Sequence, residues 1–242
     1  KNVPGRKTDI CDAAWICELA RHGLLRPGFE PPKEIRQLRE LTRQRHRLVQ
    51  SAATERNRLL KILERHGVKL STFLSDVFGV SGRLMIKALI AGRSSAEEMA
   101  LFAKGALKKK VADIQRALDV PLDKTARFVL ESQYEHILTI EERIGTLDQQ
   151  ITMMMKAYGE EEKRLETIVG VGAVSSAAII GEIGTVLTAF PNHRAFSSWS
   201  GVSPGNNMSA GKRGHSPTNP GNCFLRTLLV ECAWASVKSP GY

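Results

Sequence analysis

The chain has 242 residues, with 35 Lys and Arg against 25 Asp and Glu, so its formal net charge is +10. Hydrophobic residues make up 42% of it and charged residues 25%, a composition that can bury a core and excludes a wholly disordered chain. No run of eighteen apolar residues occurs, so no membrane helix is predicted. A positive balance without a lipid-anchoring signal favours nucleic acid as the partner.

The N-terminal segment and the cysteines indicate the context of the chain. Lys1 to Lys7 contain neither an initiator methionine nor the apolar stretch of a signal peptide, so we expect a fragment of a longer protein. The cysteines form no Cys-x-x-Cys pair and no dense disulfide pattern, which predicts reduced thiols in the cytosol. They are Cys11, Cys17, Cys223 and Cys232.

Two helices are predicted in the first quarter of the chain. Apolar spacing indicates a helix over residues 8–25, followed by a linker from Arg26 to Pro32. From Lys33 to His66 there is no Gly or Pro, and apolar residues recur at helical spacing, so one long helix is predicted. This helix carries ten Lys and Arg against four Glu. Its charged face is either a solvated outer surface or a nucleic-acid-binding surface.

A second long helix is predicted after a set of shorter ones. Glycines and Pro121 divide residues 67–125 into short helical pieces. From Leu130 to Tyr158 isoleucines recur every seven residues, as in a coiled coil. Two long helices around a helical insert predict an antiparallel coiled coil or a dimer stalk. Beyond Tyr158 the chain becomes richer in Gly, Ser, Pro and Asn, so we place a domain boundary there.

Two aspartates stand at the start of the first helix. Asp9 and Asp12 are three residues apart and project to one side, where they could share a Mg²⁺ ion. The alternative is a helix cap, with Asp9 as N-cap and Asp12 in the first turn. Two carboxylates are also fewer than a metal-assisted phosphodiester enzyme usually gathers. Both interpretations stay open on the spacing alone.

A Gly-x-Gly turn at Gly170 and Gly172 separates a charged helix from a helix of small residues. Free amides at the start of the second helix could hold a phosphate, as in the helix-hairpin-helix of sequence-independent DNA binders. Ser175 replaces the third glycine of a dinucleotide fingerprint, which disfavours that motif. The alternative is that the glycines allow close helix packing.

The segment from Gly201 to Asn222 holds five glycines and three prolines, which predicts an irregular loop. Asn222 is predicted to cap a helix over residues 223–237. A serine in this loop has the nearby cations that a phosphate-attacking nucleophile requires, although most loop serines are merely solvated. The cations are Lys212, Arg213 and Arg226, and the candidate bases are His193 and His215.

Three motifs together resemble a known family. They are Lys7-Thr8-Asp9-x-x-Asp12-Ala13, Val169-Gly170-Val171-Gly172, and Ser198-Trp199-x-Gly201-x-x-Pro204-Gly205-Asn206-Asn207-x-Ser209-Ala210-Gly211-Lys212-Arg213 with Gly221-Asn222 and Leu225-Arg226 after it. In this order they resemble the DEDD transposases, the bacterial insertion-sequence family numbered one hundred and ten, described as bridge-RNA-guided recombinases.

The resemblance implies a mostly α-helical chain in three parts. Residues 1–32 would be the C-terminal remnant of a RuvC-like domain, and residues 33–158 a coiled-coil dimerisation region. Residues 159–242 would be the transposase domain, with a helix-hairpin-helix and a serine loop. We therefore expect a fragment that lacks most of the RuvC-like domain and a basic C-terminal extension.

The resemblance also implies roles for particular residues. Ser209 would attack a DNA phosphodiester to form a covalent phosphoserine link, with Ser203 as the second choice of nucleophile. Asp9 and Asp12 would be the last two acids of the set that binds Mg²⁺, and the first two would lie upstream of Lys1. The nucleic-acid contacts would come from Gly170, Gly172, Lys212, Arg213, Asn222 and Arg226.

The implied partners are DNA, a structured guide RNA and further copies of the chain. The active site would be composite between protomers, in a dimer or tetramer joined through the coiled coil, in the cytoplasm at the bacterial nucleoid and without a membrane. The chain departs from the family at Ser216 and at residues 217–220, where glycine and basic residues are common. The alternatives are a non-catalytic helix-hairpin-helix nucleic-acid-binding dimer and an inactive transposase remnant.

Overall fold

Helices make up most of the chain, which confirms the mostly α fold class. The computed structural model describes residues 8–25, 28–205, 208–209, 211–214, 217–218 and 220–239, without the side chains of Met208, Ser209 and Arg213. The α-helices are α1 (Asp9–Arg21), α2 (Lys33–Arg65), α3 (Val80–Ala91), α4 (Ala96–Ala100), α5 (Val111–Leu118), α6 (Lys124–Met155), α7 (Gly159–Glu166), α8 (Ala173–Ile183), α9 (His193–Trp199) and α10 (Cys223–Val237). The strands are β1 (Met208–Ser209) and β2 (Lys212–Arg213), which pair antiparallel. No helix of the described ranges is long and apolar enough to span a membrane.

Capping side chains set where several helices begin. The N-cap of α1 is Thr8, whose hydroxyl accepts a hydrogen bond from the Cys11 amide at 3.3 Å, so the prediction of Asp9 as N-cap is wrong. Asp123 accepts from the Ala126 amide at 2.7 Å and starts α6 six residues before the predicted start at Leu130. A single capping carboxylate outside the apolar pattern thus extends the helix.

The two long helices α2 and α6 pack antiparallel within one chain. Arg45 of α2 pairs with Asp148 near the end of α6, and Gln133 near its start donates to Glu55 Oε2 at 2.7 Å. Rising residue numbers on α2 thus meet falling numbers on α6. The predicted antiparallel arrangement therefore occurs inside the chain, whereas dimerisation through these helices stays a prediction.

The helical insert between α2 and α6 has its own core. Most of its large, fully buried side chains come from α2, α3, α5 and α6, and they include Leu59, Leu63, Met85, Ile86, Ile114, Leu118, Leu130 and Ile137. The C-terminal half of α2 and the N-terminal half of α6 thus pack against the insert.

A half-buried ion cluster at Glu141 joins α2, α3 and α6. Arg83 donates to both carboxylate oxygens of Glu141, at 2.7 and 2.9 Å, and Arg56 donates to Oε1 at 2.6 Å. Burial alone would raise the pKa of Glu141, but the hydrogen bonds from Arg83 and Arg56 outweigh it and hold the pKa below the ordinary value of 4.5.

The Glu141 cluster makes the free energy of unfolding depend on pH in the acidic range. A carboxylate with a lowered folded-state pKa contributes stability that is present above pH 4.5 and is lost as the pH falls through the folded value. Glu141→Gln is expected to lower the free energy of unfolding at pH 7 by about 1.5–3 kcal/mol, and the difference should shrink below pH 4.5. Urea unfolding of both proteins at pH 7 and pH 3.5 measures it. Glu142→Gln, at the exposed neighbouring position, is the control, and a gap that widens in acid would contradict the prediction.

A second core crosses the predicted boundary near Tyr158. Ile35 and Leu38 of α2 and Ile151 and Met155 of α6 are buried against Ala177 and Ile180 of α8. Gly181 lies where α8 meets α2, and a Cβ there would be 3.2 Å from the Arg39 backbone. The N-terminal end of α2 and the C-terminal end of α6 thus pack against α8 of the C-terminal segment. The domain limits themselves stay predictions.

Candidate active site at the serine hairpin

The segment that holds Ser209 is a hairpin in its described part. Its cross-strand pairs run from the base to the tip, and they are Pro204 with Thr218, Gly205 with Pro217, Met208 with Arg213, and Ser209 with Lys212. Gly211, in the turn at the tip, has a φ of +76°, a conformation that favours glycine. The prediction of an irregular loop is therefore wrong for these pairs, because glycines and prolines reveal the turns but not the pairing between them.

The base of the hairpin is closed by backbone contacts. The Asn222 amide donates to the Trp199 carbonyl at 2.9 Å. A Cβ on Gly221 would lie 2.5 Å from the Gly201 nitrogen and 2.6 Å from the Trp199 carbonyl oxygen, so only glycine fits there. Asn222 Oδ1 also accepts from the Leu225 amide at 3.1 Å, which confirms it as the cap of α10. The two ends of the hairpin are thus held together where α9 ends and α10 begins.

A buried carboxylate ties this base to α2. Glu182 of α8 is completely buried. Arg43 donates to its two oxygens at 2.6 and 2.9 Å, and Asn222 Nδ2 donates to Oε2 at 2.6 Å. Arg39 lies 3.6 Å from the same carboxylate and donates to the carbonyls of Gly181 and Glu182 at 3.0 and 2.6 Å. We call these four side chains (Glu182, Arg39, Arg43 and Asn222) the Glu182 cluster.

Electrostatics in the Glu182 cluster leave net positive charge near the hairpin base. Hydrogen bonding to Glu182 raises the pKa of Arg43, whereas burial is the main cause of the lowered pKa of Arg39. Both guanidinium groups stay charged, and they face one carboxylate. Sequence reasoning missed Glu182, although a lone charged residue in an otherwise uncharged helix indicates a buried partner.

The predicted phosphate-binding cations lie at both ends of the hairpin. Lys212, paired with Ser209 at the tip, is exposed. Arg226 projects from α10 and donates to Thr218 Oγ1 at 3.2 Å, at the base. Lys212 and Thr218 are six residues apart, up to about 20 Å along an extended strand. The side chain of Arg213 lies outside the description.

The remaining candidates at the hairpin are one serine and two histidines. Ser203 is half-buried, and its amide donates to the Ser197 carbonyl at 3.2 Å. His193 is exposed at the start of α9. His215 and Ser216 lie outside the described residues.

The predicted metal ligands stand on an exposed helix. Asp9 is exposed and Asp12 half-buried on α1, a helix in which no residue is buried. Across the described ranges no group of three or more His, Cys, Asp or Glu side chains is placed to hold a metal ion. Mg²⁺ prefers six oxygen ligands in near-octahedral geometry, so these two carboxylates fit only as part of a larger site.

The linker after α1 brings the N-terminal segment to the hairpin base. Phe29 packs against Phe190 and Trp199, with ring centroids 5.1 and 5.4 Å apart. The carbonyl of Trp199 is the group that accepts from the Asn222 amide. One aromatic cluster thus contacts both the linker and the closing point of the hairpin.

The two glycines of the Gly-x-Gly turn have different surroundings. Gly170 has a φ of +91°, and a Cβ there would overlap the Cys232 carbonyl of α10 and lie 2.8 Å from the Ser236 nitrogen. Gly172 is the exposed N-cap of α8, with nothing within 4 Å of an added Cβ. The packing interpretation therefore holds for Gly170, and Gly172 is accessible to a ligand.

Alanine substitution at each of these two glycines should show which of them is needed for helix packing. Gly170→Ala is expected to destabilise the protein by about 2–4 kcal/mol, because it adds backbone strain to overpacking against α10. Gly172→Ala should cost at most about 1 kcal/mol, since the N-cap has open space. Thermal unfolding of both variants measures the difference, and equal losses would show that Gly170 does not act through packing.

Ion pairs within the chain reduce the number of basic side chains on α2 that are available to bind nucleic acid. Six of its ten basic side chains, Arg36, Arg39, Arg43, Arg45, Arg56 and Arg58, are paired with carboxylates of this chain. The other four have no acidic partner among the residues that the structure describes, and they are Lys33, Arg47, Lys61 and Arg65. Of these, Arg47 lies beside the start of α10, since both contribute to one cavity wall.

Comparison with protein families gives two matches at the two ends of the chain. Residues 162–241 match the model described as transposase of the IS116/IS110/IS902 family, and this range includes α8, the hairpin and α10. Residues 1–67 match the DEDD transposase model of the IS110 type, a range that includes Asp9, Asp12 and α2. No curated protein matches the chain.

Proposed function

We propose that the chain, an IS110-type DNA transposase by its two family matches, cuts and rejoins DNA through a covalent phosphoserine intermediate at Ser209, guided by a structured RNA. The observation that carries this proposal is the hairpin. Ser209 is in the pair nearest its tip, opposite the exposed Lys212, while the base is anchored on the Glu182 cluster. A nucleophile at the tip of an anchored ribbon can reach a duplex backbone.

The proposed step exchanges one phosphodiester for another. The Ser209 oxygen forms a bond to phosphorus while the bond from phosphorus to one deoxyribose oxygen breaks, and the hydroxyl proton ends on that leaving oxygen. The phosphoserine diester keeps the energy of the broken link, so attack by a DNA hydroxyl rejoins a strand and frees the serine.

Cations near the hairpin would stabilise the charge that develops on the phosphoryl oxygens. Lys212 is the candidate nearest to Ser209 in the backbone pairing. Arg213 neighbours it on β2, and Arg226 would hold the strand at the base. Such groups stabilise a transition state because they are already oriented when the charge appears.

The Gly-x-Gly turn would hold the DNA backbone away from the reacting phosphate. Gly172 precedes the first amides of α8, and this helix start is exposed and has no side-chain cap. Gly170 would contribute by keeping the turn against α10. Asn222 has both polar atoms of its side chain engaged inside the protein, so we assign it a positioning role at the hairpin base.

The metal proposal is restricted to Asp9 and Asp12. They would supply two oxygen ligands of a Mg²⁺ ion whose other ligands come from outside the described residues. When bound, such an ion would stabilise negative charge on a phosphate. α1 is connected to the hairpin base through the linker that contains Phe29.

We further propose that the active unit is a dimer or tetramer in which the serine of one copy meets the acids of another. Antiparallel helices α2 and α6 expose long charged faces on which copies could associate. The expected place of action is the bacterial nucleoid, where the DNA is.

The test of the proposed function is a search for a covalent adduct. The protein is incubated with end-labelled DNA and guide RNA, denatured, and examined for label that migrates with the protein. An adduct in the wild type that is absent in Ser209→Ala supports the proposal. DNA binding without any adduct in the wild type would favour a non-catalytic nucleic-acid-binding dimer or an inactive remnant.

A further inference from the structure

A basic cavity lies between α2 and the start of α10, next to the hairpin base. Its volume is about 530 Å³. Its lining residues are Arg43, His46, Arg47, Gln50, Asn222, Cys223 and Phe224, and no carboxylate is among them. We call this cavity the α2–α10 pocket. Since the side chains that line it include two arginines and a histidine, its chemistry suits an anion.

The walls of the α2–α10 pocket are held by internal contacts. Phe224 packs edge-on against His46, with ring centroids 5.1 Å apart, and the Arg43 guanidinium lies 5.5 Å from the Phe224 ring centre. The His46 and Gln50 side chains are hydrogen-bonded at 2.9 Å. Arg43 is also held by Glu182. The cavity is thus shaped before any ligand enters.

Arg47 is the cation that remains available in this pocket. It is exposed and has no acidic partner in the part of the chain that the structure describes. The opposite wall of the pocket is formed by the first residues of α10. There the Asn222 side chain accepts a hydrogen bond from the Leu225 amide, and the Asn222 carbonyl accepts one from the Arg226 amide. The amides of Cys223 and Phe224, two residues that line the cavity, have no hydrogen-bond acceptor among the residues that the structure describes.

We propose that the α2–α10 pocket binds a phosphodiester group of the nucleic-acid strand, with Arg47 as its main charged ligand. The charge and donor set match a phosphate, and the pocket opens beside the hairpin that leads to Ser209. The proposal rests on the proposed function in one respect, that the strand held by the pocket is the strand that Ser209 attacks.

The first test compares two charge reversals on α2. Arg47→Glu and the control Arg65→Glu are made in the Ser209→Ala protein, so that binding is measured without reaction. Both arginines are exposed and unpaired among the described residues, but Arg65 lies at the far end of α2. Binding is followed by fluorescence anisotropy on labelled single-stranded DNA, duplex DNA and RNA over a range of salt concentrations, and circular dichroism checks folding.

Arg47→Glu is expected to weaken binding about tenfold at low salt and to reduce the slope of log affinity against log salt by about one, because one phosphate contact is lost. Arg65→Glu should change affinity by less than about twofold. The nucleic acid with the largest difference between the two variants identifies the strand that enters the pocket. Equal losses for both variants would overturn the proposal, because only non-specific charge would then be at work.

A second test uses the native thiol in the pocket. Cys223 is exposed and lines the cavity, whereas Cys232 is buried. With Cys11 and Cys17 replaced by serine, an oligonucleotide that carries a thiopyridyl mixed disulfide on a backbone phosphate should exchange with the Cys223 thiol, which forms the new disulfide and releases the thiopyridyl group as pyridine-2-thione. Arg47→Glu should slow this exchange severalfold. If the oligonucleotide is trapped no faster with Cys223 present than in Cys223→Ser, the proposal that the pocket binds a phosphodiester is wrong. Trapping without any serine adduct would refute the proposed function and leave the pocket standing.

Discussion

Ser209→Ala is expected to abolish the covalent adduct between protein and DNA. Alanine has no hydroxyl, so the phosphoserine bond cannot form and the loss should be complete rather than partial. In enzymes that act through a nucleophile, removing it typically costs on the order of 10⁴-fold or more in rate. The measurement is the labelled, denaturation-resistant adduct, formed with guide RNA and target DNA.

Two companion variants make this result specific. Ser203→Ala removes the other hydroxyl considered on the same segment and should leave the adduct in place. Lys212→Ala should slow adduct formation by about 10²-fold, as expected for one lost electrostatic contact to the transition state. An adduct that survives Ser209→Ala and disappears in Ser203→Ala would move the nucleophile to Ser203.

Folding must be separated from chemistry in this experiment. The paired residues of the hairpin tip are held by backbone contacts, so Ser209→Ala should unfold at nearly the wild-type temperature and bind DNA with nearly unchanged affinity. Surface substitutions usually change stability by less than about 0.5 kcal/mol. A variant that loses the adduct together with its thermal transition would report unfolding instead.

Glu182→Ala is expected to destabilise the C-terminal segment strongly. It leaves two guanidinium groups without their carboxylate, and it removes the acceptor of Asn222. Breaking a buried ion pair costs about 3–5 kcal/mol, and because the Arg43 side chain is 39% exposed we expect about 2–4 kcal/mol. For a chain of this size the melting temperature should fall on the order of 10 °C.

The matched control for this variant is Glu166→Ala. Glu166 is exposed at the end of α7, and its replacement should change the free energy of unfolding by less than about 0.5 kcal/mol. Comparable losses in both variants would mean that the Glu182 cluster adds little to stability.

A double-mutant cycle tests the reason for the loss. If the cost of Glu182→Ala comes from unpaired positive charge, then adding Arg43→Ala should cost little more, with a coupling of about 1–3 kcal/mol. Strictly additive losses would refute that explanation. At a temperature where both variants are folded, Glu182→Ala should also slow adduct formation, because Asn222 no longer anchors the hairpin base.

Local rules predict several elements of this fold well. The long helix α2 was expected over residues 33–66 and is found at Lys33–Arg65. The helix α10 has the predicted bounds, and its cap is the predicted Asn222. These features depend on residues within one or two turns of each other, so an uninterrupted helical pattern and a capping side chain are enough to predict them. The family motifs likewise lie in short stretches of sequence.

Features that join distant residues were predicted poorly. The hairpin was expected to be irregular, since its glycines and prolines give no register. Glu182 was not recognised, because its partner Arg43 lies 139 residues away. The sequence presents the basic face of α2 as one surface, whereas ion pairs occupy six of its ten basic side chains, four of them with other helices. For Gly170 the sequence leaves nucleic-acid binding and close helix packing both open, and only the structure shows that this glycine packs against α10.

The amino-acid sequence by itself determined the helical character, the positions of the long helices, and the motifs on which the family resemblance and the proposal of Ser209 rest, because propensity, capping and motifs act over a few neighbouring residues. Only the tertiary structure decided which cations are neutralised inside the protein and which, like Arg47, remain for a ligand. It also decided that a carboxylate on α8 holds the base of the hairpin. Pairing of charges depends on distances across the fold, and those distances arise from helix packing that no local pattern encodes.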